Sequence, residues 1–126
     1  MADMFHSQKP IYQQLADRIK KQIISGELSP GEKLPSIRET GLEVNVNPNT
    51  VSRTYRELEM VNIVETKRGQ GTFVTEDEGV LRSIREEMKN EIITIFVQEM
   101  QEMGYTNDDI QSGLGEFLSK KGENEA

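Results

Sequence analysis

The chain has 126 residues, 34% of them hydrophobic and 29% charged, with a formal net charge of −7 and no cysteine. That length suits one domain with an appendage, the missing cysteines exclude disulfides and thiolate metal sites, and no apolar run reaches the length of a membrane span. The charge is uneven: residues 1–75 hold ten basic and nine acidic side chains, while residues 76–126 hold five and thirteen.

The first ten residues, MADMFHSQKP, contain no apolar stretch of the secretory-signal kind, so a cytoplasmic location is expected. Pro10 suits the opening of a helix, since its missing N–H would be unpaired there anyway. Ile11, Leu15, Ile19 and Ile23 then recur every fourth residue between polar neighbours, which predicts an amphipathic first helix stopped at Gly26. The run from Leu28 to Pro35 is rich in turn formers. Ser36 and Glu39 have capping-box spacing and open a short second helix to about Glu43.

Asn47 as N-cap and Pro48 at the first helical position start a third helix, ending near Val61. A connection of about three residues between the second and third helices has helix-turn-helix length. The β-rich runs Ile63–Lys67 and Thr72–Thr75 flank Arg68-Gly69-Gln70-Gly71 and predict a hairpin with a glycine-bearing loop. Three helices followed by a hairpin is the order of a winged helix-turn-helix.

Beyond Asp77 the pattern changes. Leu81, Ile84, Met88, Ile92, Ile95, Phe96, Met100 and Met103 keep a spacing of three or four, predicting a long helix ended by Gly104. Thr106 caps a last helix with Asp108 and Asp109 in its first turn, a sign that suits the macrodipole. Its apolar positions are Ile110, Leu114, Phe117 and Leu118, and Lys121–Ala126 read as a frayed tail. The long helix has more apolar surface than its short successor covers, so a second copy of this arm is expected to cover the rest. The competing reading folds the arm back onto its own winged domain.

On a wheel at 100° per residue the third helix puts Val51, Tyr55 and Leu58 within an arc of about 60°, a core stripe. Asn49, Arg53 and Arg56 cluster opposite, with Ser52 at the edge and Thr50 in the first turn. Such a face is either a solvated surface or one that enters a DNA major groove, where Asn bonds adenine and Arg bonds guanine. Further cations at separate positions, Arg38 on the second helix and Lys67 and Arg68 on the hairpin, favour the groove. Gly69 and Gly71 supply the turn with positive φ, let the loop approach a phosphate, or do both. Glu57, Glu59 and Glu65 keep any basic field local.

No catalytic or metal constellation emerges: His6 stands alone, and Gly69-Gln70-Gly71 is followed by a strand rather than by a Walker lysine. Neither a cofactor nor a membrane partner is expected. With about fifty residues after the wing, a buried metabolite pocket is hard to enclose, and a ligand at a dimer interface stays open.

Pro10–Leu15, Leu34–Glu39, Val46–Val51, Tyr55–Glu59 and Arg68–Val74 together resemble the GntR family of bacterial transcription regulators. The Asn-Pro-Asn-Thr-Val run and the short C-terminus are similar to its YtrA-type subfamily, in which two helices after the winged domain form a dimerisation arm. The resemblance implies DNA contacts from Arg38, from Asn47, Asn49, Thr50, Ser52 and Arg53, and from Arg68, Gly69, Gln70 and Gly71. Many relatives carry arginine where Pro48 and Ser52 stand, and glycine where Asn62 stands. Relatives often place alanine where Gly41 stands, so Gly41 is expected to loosen its helix by up to about 1 kcal/mol relative to Ala.

The expected protein is therefore α+β: a winged helix-turn-helix over residues 1–75 and an α-helical dimerisation arm over 76–126. Its expected role is that of a homodimeric DNA-binding regulator, a repressor on an inverted-repeat operator. The alternative is a winged-helix adaptor that binds protein and not DNA.

Overall fold

The computed structural model describes residues 9–125, so His6 lies outside the described residues. The elements run α1 (Ile11–Ser25), α2 (Ile37–Val44), α3 (Pro48–Met60), β1 (Val64–Lys67), β2 (Gly71–Val74), α4 (Glu78–Glu102) and α5 (Asn107–Glu125). Two compact units divide the chain, Met1–Arg85 and Glu86–Ala126. The division falls inside α4, beyond the composition change near residue 76.

In the first unit α3 is the central helix, packed on α1, α2 and β1. Leu15, Ile19 and Ile23 of α1 are buried, joined by Ala16. Ile11, the first residue of the expected stripe, is 48% exposed because it lies in the opening turn, above the level of the core. Val51, Tyr55 and Leu58 face the core as their spacing requires, and Thr54 beside them is fully buried. Burying each large apolar side chain contributes about 1.5–3 kcal/mol.

Local signals set the helix ends. Gly26 ends α1 in the left-handed region. Ser36 Oγ accepts from the Glu39 N–H while the Glu39 carboxylate accepts from the Ser36 N–H, a complete capping box. Asn47 caps α3 with Pro48 in the first turn, and Asn62 after α3 has φ +65°, the left-handed conformation asparagine tolerates.

Between α2 and α3 the chain turns through Asn45, also left-handed, and the Val46 N–H donates to the Gly41 carbonyl at 2.9 Å. Here the structure corrects the expectation for Gly41. A Cβ at that position would lie 2.8 Å from the Val46 carbonyl oxygen. The missing side chain lets the corner close on α2, and helix propensity is the smaller effect.

The hairpin pairs Val64 with Val74, Glu65 with Phe73, Thr66 with Thr72 and Lys67 with Gly71, antiparallel. Its outer edge is also occupied. Lys33 bridges Phe73, the Leu34 N–H donates to the Thr72 carbonyl at 2.8 Å, and the Val74 N–H donates to the Glu32 carbonyl at 2.8 Å. The turn-rich connector before α2 thus braces the wing. Ile84 in the second turn of α4 is buried, so this member of the expected dimer seam offers no surface to a second chain.

The second unit holds the rest of α4, then α5. Gly104 has φ +90° at the connection. Thr106 Oγ1 accepts from the Asp109 N–H at 3.1 Å and the Asp109 carboxylate accepts from the Thr106 N–H at 2.9 Å. These bonds, that from the Thr106 backbone foremost, hold the Asp109 carboxyl below its usual range. Ile110 is buried, so it too is unavailable to a partner. Ile92, Ile95, Met103, Leu114, Phe117 and Leu118 are exposed, as is Ile93, while Leu81, Met88, Phe96 and Met100 are half-buried. Helix α5 continues to Glu125 where a frayed tail is expected from Lys121; Ala126 lies outside the described residues.

Candidate nucleic-acid interface

Every residue expected to touch DNA lies in the first unit, carried by α2, α3 and the wing. Arg38, Asn47, Asn49, Arg53, Arg56, Lys67, Arg68, Gly69 and Gln70 are exposed, and Thr50, Ser52 and Gly71 are half-buried. Among the described residues Arg38, Arg53, Arg56, Lys67 and Arg68 make no ion pair. None of these five cations is neutralised by an ion pair, the condition for displacing counterions from a phosphate backbone.

The polar face of α3 is held from below by two buried hydroxyls. Tyr55 donates to the Pro35 carbonyl at 2.8 Å and takes the Thr40 hydroxyl proton at 2.7 Å. This chain ties the centre of α3 to the residue preceding α2 and to α2 itself, fixing the angle of the helix-turn-helix. Burial pushes the Tyr55 phenol up, and the Thr40 hydrogen bond opposes that shift in part. On the opposite side, Thr54 Oγ1 lies 3.0 Å from the carbonyl oxygens of both Tyr12 and Thr50 and shares its proton between them. A buried hydroxyl left without such partners would cost about 1–3 kcal/mol.

At the start of α3, Asn47 Oδ1 accepts from the Asn49 N–H at 2.8 Å. That oxygen is committed to capping, which leaves the amide NH2 of Asn47 as its group for an outside acceptor. Asn49 keeps both ends of its side chain for the bidentate pattern that adenine requires.

Arg53 is not extended into solvent: its guanidinium carbon lies 3.7 Å from the centroid of the Tyr12 ring. On α2, Glu39 sits beside Arg38 as a fixed anion, its carboxyl held below the ordinary range chiefly by the Ser36 backbone N–H. Glu59 accepts from the Thr66 N–H at 3.2 Å and is thereby drawn to β1.

The wing loop is Arg68-Gly69-Gln70. The Gln70 N–H donates to the Lys67 carbonyl at 2.9 Å, and Gly69 takes φ +77°, a conformation in which a Cβ would be strained. Lys67 Nζ lies 4.7 Å from the centroid of the Phe73 ring. Lys33, which no sequence signal singled out, runs its side chain past Gly71, where an added Cβ would meet Lys33 Cε at 2.6 Å. Its charge therefore joins Lys67 and Arg68 on the wing, because the bridge to Phe73 puts it there. Tyr12 was equally hidden: it falls between the apolar positions of α1, and only the packing of α1 on α3 brings its ring to Arg53.

Among the described residues no cluster of His, Asp or Glu could hold a metal ion, and no helix is long and apolar enough to cross a membrane.

A family model described as bacterial regulatory proteins, gntR family, matches residues 11–74. The uncharacterized HTH-type transcriptional regulator YhcF of Bacillus subtilis (strain 168) is 44% identical over 117 residues, 93% of this chain and 97% of that protein. The HTH-type transcriptional repressor YtrA of the same organism is 43% identical over 93 residues, 69% of this chain and 72% of that protein. Among solved structures, a GntR family transcriptional regulator from Listeria monocytogenes superposes with a TM-score of 0.81 at 33% identity, over 89% of this chain and 98% of that one.

Proposed function

The chain belongs to the gntR family of bacterial regulatory proteins, and from that premise we propose that it is a cytoplasmic repressor that binds an inverted-repeat operator as a homodimer. It is a transcription regulator and not an enzyme, in line with the relatives it matches. In this reading the polar face of α3 enters the major groove, with Asn49, Arg53 and Arg56 toward base edges. Arg38, Asn47, Thr50 and Ser52 hold the adjoining backbone, and Lys67, Arg68 and the Gly69–Gly71 loop meet phosphate or the minor groove.

The observation that carries the proposal is the unpaired, exposed cationic face of α3 and the wing, mounted on a helix whose other side is locked by Tyr55 and Thr54. Repression is proposed by analogy with the transcriptional repressor YtrA, which the chain resembles over 69% of its length. Dimerisation is supported by the exposed apolar side chains of the second unit, Ile92, Ile95, Leu114, Phe117 and Leu118, whose burial against a second copy would stabilise the pair. Two recognition helices related by a two-fold axis then read half-sites about one DNA turn apart.

The test separates base reading from phosphate contact. Arg53→Ala is expected to weaken binding to the cognate duplex by about 1–3 kcal/mol and leave nonspecific binding intact. Arg68→Ala is expected to weaken binding to all duplexes and to lower the salt slope by about one phosphate. Unchanged affinity in both variants, measured by fluorescence anisotropy, would overturn the assignment.

A further inference from the structure

We propose that Tyr12 of α1 is a positioning residue for sequence recognition: its ring is a platform that holds the Arg53 guanidinium over α3 with its hydrogen-bond donors free. The inference rests on the base-reading role proposed for Arg53, and deepens it by assigning specificity to a residue outside the helix-turn-helix.

At 3.7 Å from the ring centroid, the guanidinium carbon lies above the ring face, because an approach in the ring plane would be stopped further out by the ring hydrogens. A face contact of this kind uses the ring's π electrons and none of the arginine's N–H groups. Arg53 has no ion pair and no side-chain hydrogen bond among the described residues. All five donors therefore remain available for a bidentate contact with a guanine edge. The platform is itself tied to the helix it serves: the Tyr12 carbonyl accepts from Thr54 Oγ1 at 3.0 Å, and Thr54 is the neighbour of Arg53 in sequence and fully buried. Backbone and side chain of residue 12 thus grip the same turn of α3, one at its base and one at its reading group. A long arginine side chain loses rotamer freedom when it binds, and the stack removes part of that loss in advance.

The test is a double-mutant cycle on Tyr12→Leu and Arg53→Ala, with Tyr12→Phe as the conservative rescue. The probes are the duplex that wild-type protein enriches from a random pool and a scrambled duplex of the same composition. Tyr12→Leu is expected to lower affinity for the enriched duplex by about 3- to 30-fold and to leave the scrambled duplex and the salt slope unchanged. Tyr12→Phe should restore binding to within about twofold, since phenylalanine keeps the cation–π face. In the Arg53→Ala background Tyr12→Leu should cost nothing more. In the free protein, Arg53 side-chain proton resonances should be shifted upfield by the ring and lose that shift in Tyr12→Leu. Tyr12→Gln supplies a second ringless variant in case leucine disturbs α1.

Equal losses on both duplexes, or the same loss with Arg53 already removed, would make the ring merely structural and overturn the proposal. If Arg53→Ala weakens cognate binding while both ringless variants bind as wild type, the Tyr12 inference alone falls. If Arg53→Ala itself binds the enriched duplex fully, the base-reading role of Arg53 falls and takes the platform with it.

Discussion

Replacing Gly41 by alanine sets two effects of opposite sign against each other. Helix propensity favours alanine inside α2 by about 1 kcal/mol. The added methyl, however, would sit 2.8 Å from the Val46 carbonyl oxygen, and that oxygen belongs to backbone in a tight corner, with little freedom to retreat. Relieving the overlap should cost about 1–3 kcal/mol, as for other overpacked sites. It also strains the 2.9 Å bond from the Val46 N–H to the Gly41 carbonyl, worth roughly another 0.5–1.5 kcal/mol. The net expectation for Gly41→Ala is a loss of about 1–3 kcal/mol, with the melting temperature falling by about 4–8 °C for each kcal/mol in a unit of this size. Gly113→Ala provides the opposite-sign control: Gly113 lies within α5 with nothing within 4 Å of an added Cβ, so alanine there should raise helicity. Thermal and urea unfolding followed by circular dichroism measure both. A Gly41→Ala protein as stable as wild type, or more so, would refute the steric account and restore the propensity argument.

Other perturbations address the remaining anchors. Tyr55→Phe should cost about 1–3 kcal/mol, because the Pro35 carbonyl and Thr40 hydroxyl lose their partner. Since burial raises the Tyr55 pKa above its usual value of 10.0, the folded state binds the phenol proton more tightly than the unfolded chain. That contribution to stability is complete below about pH 10 and is lost as pH rises through the folded pKa; alkaline melts of wild type should show the decline and Tyr55→Phe should show less of it. Ile92→Asp or Phe96→Asp in the arm should yield monomers with a folded winged domain and much weaker operator binding, and light scattering that finds these variants still dimeric would place the interface elsewhere. The log of operator affinity should fall against log salt by about 0.9 for each phosphate neutralised; a flat response would favour a protein-binding adaptor.

Much of the architecture was legible because its causes are short-range. The capping box of Ser36 and Glu39, the Asn47-Pro48 start of α3, Thr106 before α5 and the glycine turn of the wing each involve groups a few residues apart. Spacing along the chain is enough to specify each of them. The core stripe of α3 follows from its period, except for Thr54, a polar residue at its edge; periodicity of apolar residues carries no sign that a hydroxyl will find two carbonyls. The arm was legible as apolar helices. The burial of Ile84 and Ile110 within one chain was not, since every position of a stripe looks alike before its neighbours are known.

For the candidate interface, the sequence by itself determined which residue types are present and on which face of α3 they stand, because 100° per residue follows from the helix alone. The tertiary structure decided their state. Residues 12 and 53 meet only because α1 packs on α3, and Lys33 joins the wing only because the connector runs along the outer edge of β2. Gly41 changes from a weak helix residue into a necessary one only when the Val46 carbonyl arrives beside it. Local conformation is set by interactions within a few bonds or one helical turn, whereas these contacts depend on the packing of whole elements, and no pattern along the chain encodes them one residue at a time.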